Sequence, residues 1–140
     1  MTALVLDIAA LSALAVTASP QKRVVRSALT AALRLERDAV VPAVVLAEMY
    51  RGRNHNQAVD ACLSRETGLA VRGTDPPLAR LVGGILAAAG VGSAHMVDAH
   101  VVAAAVEAGR GVCLTGDPDD LAKLAAPNAN VQVVDVNQAG

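Results

Sequence analysis

Residues 3–15 read ALVLDIAALSALA, and residues 112–124 read VCLTGDPDDLAKL. Each begins with a short apolar run of strand length, meets an aspartate, and continues into a segment with helical spacing. Asp7 ends the first run and Asp117 follows the second. A buried strand leading through an acid into a helix is the start of a βα unit, and its repetition argues for a parallel sheet with helical crossovers.

Working outward, the alternation holds along the chain. Strands are predicted near Ala3–Leu6, Ala39–Val41, Leu69–Val71, Gly111–Thr115 and Val131–Val136. Helices are predicted from Ala9 to Val16, Pro20 to Glu36, Ala43 to Arg51, Asn56 to Arg65, Pro76 to Ala89, Met96 to Ala108 and Pro118 to Leu124. Ser19-Pro20 and Asp75-Pro76 pair a capping side chain with a proline in the first turn. Gly109 closes the sixth helix in the C′ position. The fold class is α/β, read as a single domain over residues 1–136 with a short C-terminal tail, 137–140, expected to fray.

Composition narrows the function. At 140 residues and 54% apolar, the chain builds one aliphatic core, rich in Ala, Val and Leu. Tyr50 is its sole aromatic residue, which excludes a base-stacking platform. Net charge is −1, yet residues 21–65 hold eight basic and four acidic side chains, whereas 71–140 hold four and seven. Neutralising four carboxylates would leave +3, a modest phosphate-attracting field. Cys62 and Cys113 lie in apolar contexts without metal-like spacing and read as buried thiols of a cytoplasmic protein. The longest uncharged run, Leu81–Val97, holds four glycines and is too short for a convincing membrane span.

Four acids sit where a carboxylate is a poor structural choice. Asp7 and Asp117 fall at the carboxyl ends of strands, where open parallel sheets bind ligands. Asp98 shares a helical stripe with Val101, Val102 and Ala105, and Glu48 follows Val44 and Val45 by four and three residues. Converging carboxylates repel one another unless a cation holds them ionised. An oxygen-only set suits Mg²⁺ or Mn²⁺ rather than zinc. Such ions bind phosphate and activate water, the chemistry of phosphodiester hydrolysis. Each acid also has a plainer reading. Asp117 can cap a helix, Asp98 can serve a helix dipole, and Glu48 can pair with Arg51 or Arg53. Asp120 reads as a dipole residue, and Tyr50 as packing. His95 and His100 do not share a helix face, and His100 reads as a rim or interface position. Lys22, Arg23 and Arg26 form a charged helix start.

The stretches LVLDIAAL (4–11), VPAVVLAEMYRGR (41–53), VDAHVVAAAVEAG (97–109) and LTGDPDDL (114–121) resemble, in order and spacing, PIN-domain proteins of the VapC-type ribonuclease toxins. The resemblance implies a three-layer fold with a central five-stranded parallel sheet flanked by helices. It implies an endoribonuclease with Asp7, Glu48, Asp98 and Asp117 as its acidic quartet, Asp119 as a further metal ligand, and Mg²⁺ or Mn²⁺ as cofactor. It also implies an RNA substrate, a homodimer and a small cognate antitoxin. Arg51 and Arg53 are candidate contacts to substrate phosphates. The chain departs from the family pattern at Ile8 and Ala9, where members often carry a hydroxyl or glycine. Two alternatives stand beside this reading: a catalytically degenerate PIN domain that only binds, and a haloacid-dehalogenase-type phosphatase using Asp7.

Overall fold

The computed structural model describes residues 2–15 and 19–138. In chain order it contains β1 (Thr2–Leu6), α1 (Ile8–Ala15), α2 (Pro20–Arg34), β2 (Asp38–Pro42), α3 (Ala43–Met49), α4 (Arg53–Arg65) and β3 (Leu69–Arg72). It continues with α5 (Pro76–Ala89), a 3₁₀ turn at Ser93–His95, α6 (Met96–Glu107), β4 (Arg110–Thr115), α7 (Pro118–Ala125) and β5 (Val131–Asp135). The predicted elements are all present with boundaries shifted by a few residues. The 3₁₀ turn was not anticipated, and Val16, the predicted end of α1, lies outside the described residues. In the first residue of the tail, the Asn137 side chain accepts a hydrogen bond from Gln21, and its N–H donates to Asp135.

The helix starts follow their local chemistry. Ser19 Oγ accepts the Lys22 N–H at 3.0 Å, and Asp75 Oδ1 accepts the Leu78 N–H at 3.0 Å, each ahead of a proline in the first turn. Gly90 ends α5 at φ 67°, a left-handed cap that suits glycine.

The five strands are all parallel, in the order β3-β2-β1-β4-β5. The chain winds outward from β1 to β3, then returns to lay β4 on the other side of β1. The order therefore reverses between β1 and β4, and the crevice at the carboxyl ends of those two strands is the place where such sheets bind ligands. Asp7 and Asp117 flank it.

Strand parity assigns the layers. Leu4 and Val112, level across the ladder, line a cleft with Ala28, Ala31 and Ala32 of α2. Gly111, one residue out of phase with Val112, faces α6, where an added Cβ would fall 2.3 Å from Ala105 Cβ. So α2 covers one face and α6 the other, with α5 and α7 packed on α6. Ala99–Ala105 of α6 are buried without a break, as expected of a helix enclosed on every side. Cys62 and Cys113 are free and buried, and burial pushes the Cys113 thiol up to about 12.

Candidate metal centre

Asp7 is the innermost acid, with only 7% of its surface exposed. Its N–H donates to Leu114 O at 3.1 Å, so the β1–β4 ladder runs on through it. Its parity matches Ala3 and Val5, and it therefore faces the α6 side of the sheet. The carboxylate caps α1 by accepting the Ala10 N–H at 3.0 Å on Oδ1, and Oδ2 accepts the Gly116 N–H at 3.3 Å. The Thr115 hydroxyl and the Ala9 N–H donate to it as well. A carboxylate so well supplied with donors would ordinarily titrate low. Here burial outweighs them and the pKa is raised.

Thr115 is fully buried and links two of the acids: it donates to Asp7, and its Oγ1 accepts the Asp117 N–H at 2.9 Å. The sequence reading missed this residue, although a threonine closing a buried strand two positions before an acid was the available signal. It places a hydroxyl beside Asp7 despite Ile8 and Ala9. Gly116 is required by close approach, since an added Cβ would lie 2.6 Å from Ala9 Cβ.

Asp98 occupies the first turn of α6 and is half-buried. It has no hydrogen-bond or ion-pair partner among the described residues. Burial raises its pKa first, followed by the charges of Asp7, Asp120 and Asp117, while His95 opposes them weakly. Those three aspartates are thus the acids whose fields converge on Asp98. Asp117 holds the N-cap position of α7 by its backbone, but its side chain makes no capping hydrogen bond. That exposed carboxylate is left available. Asp120, read from sequence as a dipole residue, joins the cluster. The signal was its spacing, because N-cap and third helical position lie on the same side of the first turn.

Glu48, expected on the apolar face of its helix, is exposed and pairs with Arg51 at 3.0 Å. Helix α3 nevertheless packs against α1 and α6, which places Glu48 on an element bordering the crevice. Arg51 also donates to the carbonyls of Ala47 and Tyr50. Arg53 starts α4, exposed and without a side-chain partner among the described residues. Asp119 is exposed, in the first turn of α7. Tyr50 donates its hydroxyl to Asp60 at 2.6 Å. Arg26, on the charged start of α2, forms a two-pronged pair with Glu66. His100 corrects the expectation of a rim position: it is buried, its Nδ1 lies 2.8 Å from Met96 O, and its Nε2 has no partner among the described residues. Its burial comes from neighbouring helices, which the periodicity of α6 alone does not reveal.

Among the described residues, no three His, Cys, Asp or Glu side chains are closed into a group that could hold a metal ion as they stand. The donor chemistry nonetheless fits a hard cation. Asp98 is a half-buried carboxylate without a partner, placed where three other carboxylates raise its pKa. An oxygen-coordinated divalent ion would remove both penalties.

No protein-family model matches the chain, and no curated protein matches it in sequence. Solved structures do match in fold. One is a chain of VapBC2 from Rickettsia felis bound to a DNA fragment from their promoter, with a TM-score of 0.63, 12% identity, and coverage of 95% of this chain and 98% of that one. Another is a chain of DNA-bound VapBC from Salmonella typhimurium, with a TM-score of 0.66, 16% identity, and coverage of 97% and 99%. At these identities the likeness speaks for the fold, and it spans both chains nearly end to end. The protein therefore has the PIN-like α/β fold, five parallel strands between helical layers, that it shares with chains of the VapBC complexes.

Proposed function

We propose that this protein is a divalent-metal-dependent endoribonuclease acting as the toxin of a toxin–antitoxin pair. The observation that carries the reading is Asp98: a partly buried, unpartnered carboxylate on which the fields of Asp7, Asp117 and Asp120 converge at the switch point of the sheet. Asp7, Asp98 and Asp117 would hold Mg²⁺ or Mn²⁺, with Asp120 adding negative charge behind them. Glu48 would join on releasing Arg51, and Asp119 would join from the same turn as Asp120. When bound, the cation supplies Lewis-acid chemistry at the scissile phosphate.

The chain's own residues do the positioning. Thr115, Ala10 and Gly116 fix the Asp7 carboxylate, and the Thr115 hydroxyl ties it to the backbone of Asp117. Arg53, and Arg51 once freed from Glu48, would meet the substrate backbone where α3 joins α4. The phosphatase alternative needs a second acid two residues after Asp7, where this chain has Ala9. With one aromatic side chain, recognition of RNA would rest on shape and phosphate positions.

The antitoxin partner is supported by the likeness to chains of VapBC complexes. A homodimer and a cytoplasmic setting belong to the same proposal. Among the described residues no helix is long and apolar enough to cross a membrane. One observation favours the binding-only alternative: Glu48 is held by Arg51 rather than turned to the acids.

The test is cleavage of a structured RNA by purified protein with Mn²⁺, compared with Asp7→Asn and Asp98→Asn. Metal-dependent cutting lost in both variants supports the nuclease. Equal cutting by all three proteins ends the proposal, and no cutting by the wild type favours the binding module. Growth arrest on induction, relieved by a small protein encoded alongside, would test the toxin role.

A further inference from the structure

We propose that the opposite edge of the sheet carries a second site, independent of metal, that takes a phosphate ester of nucleotide size. Arg110 pairs in register with Thr2, and Ala3 pairs with Asp38, so Arg37 stands level with Thr2 on the other side of β1. Residues level with one another in a parallel ladder project from the same face. With strands 4.7–4.9 Å apart, the two arginines spring from points roughly 10 Å apart astride β1. Both arginines line one cleft of about 440 Å³ together with Thr2, Asn130 and Gln132.

The lining holds no carboxylate. Asp38, next in sequence to Arg37, has the opposite parity and so faces away. Neither guanidinium forms an ion pair or side-chain hydrogen bond with a described residue, whereas Arg26, Arg51 and Arg72 are all engaged by acids. Two arginines lining one cleft can offer it two guanidinium forks, which match the tetrahedral oxygens of a phosphate. The hydroxyl and the two amides beside them offer donors and acceptors to a sugar or base. The volume suits a small ligand. Strand β1 separates this edge from Asp7 by about 17 Å, so an occupant here is not the bond being cut at the acidic crevice.

The occupant is either a free nucleotide or a phosphate of a nucleic-acid strand, and one titration separates the two. Full-length protein in EDTA is titrated calorimetrically with adenosine 5′-monophosphate, with inorganic phosphate as competitor, and with a short single-stranded DNA. Arg37→Gln and Arg110→Gln should each weaken nucleotide binding about tenfold, the loss of one charge-assisted contact, and the double variant about a hundredfold. Arg80→Gln, an exposed charge on α5 outside the cleft, should stay within about twofold. A free nucleotide is the source if the monophosphate binds at least as tightly as the oligonucleotide. A strand is the source if the oligonucleotide binds more tightly and loses that advantage in the double variant.

Absence of saturable binding overturns the proposal. So does wild-type affinity in the double variant, or an equal loss in Arg80→Gln. Circular dichroism verifies that each variant is folded. Because the readout contains no divalent ion, failure of the nuclease reading leaves it untouched, and its own failure leaves the nuclease reading standing.

Discussion

Asp7 offers the sharpest separation between holding the fold and doing chemistry. In Asp7→Ala, the Ala10 and Gly116 N–H groups lose their acceptor, as does the Thr115 hydroxyl. Each buried donor left without a partner costs about 1–3 kcal/mol. The Ala10 N–H belongs to a first helical turn, where loss of a cap costs about 1 kcal/mol, and the hydroxyl can rotate to another acceptor. A total of about 2–4 kcal/mol follows. At a few degrees per kcal/mol for a domain of this size, Tm should fall by roughly 10 °C. Asp7→Asn behaves differently. Its Oδ1 still caps α1, its amide is mismatched at the Gly116 N–H, and it removes a charge whose pKa burial has raised. These effects oppose one another and should leave stability within about 1 kcal/mol of wild type. The assay is thermal and urea denaturation in EDTA, followed by circular dichroism, with RNA cleavage measured in parallel. Both variants should be inactive, but only alanine should be destabilised. An alanine variant as stable as wild type, or an asparagine variant that falls as far as alanine, would refute the reasoning.

Three further outcomes are expected. Asp98 has a raised pKa when folded, so its contribution to stability is present below about pH 4 and is lost as pH rises through the folded value. The stability of Asp98→Asn relative to wild type in EDTA should therefore increase between pH 4 and 7, and saturating Mn²⁺ should reverse the order. In cleavage assays, Asp120→Asn should lose about tenfold, because Asp120 acts on Asp98. Gly111→Ala should destabilise by about 1–3 kcal/mol, since its Cβ would meet Ala105 Cβ at 2.3 Å and Cα at 2.7 Å; Ala105→Gly in the same chain should recover part of that loss.

The reach of the sequence differed between residues for physical reasons. Asp7 and Asp117 were legible because strand ends in a parallel sheet have one destination, the carboxyl edge, and the switch between β1 and β4 brings those two ends together. Asp98 was legible because α6 is apolar on all sides, so a carboxylate in its first turn is enclosed by whatever packs there. Glu48 was not. AVVLAEM is apolar nearly all round and only seven residues long, so no stripe distinguishes its inner face, and Arg51 one turn on supplies a solvent-side partner. Asp120 was set aside because the helix dipole accounts for an acid at that position without any neighbour. Only the packing of α7 on α6 shows that its charge reaches Asp98. The Arg37–Arg110 pairing depends on strand register, since 73 residues separate the two in the chain and the ladder alone makes them neighbours.

The central claim is that these acids cage a hard cation, and a calorimetric Mn²⁺ titration of the wild type beside Asp98→Asn tests it most directly. Saturable binding that releases protons as the raised carboxylates ionise, with affinity reduced at least tenfold in the variant, is the expected result. Equal Mn²⁺ binding by both proteins, or none by the wild type, would contradict it.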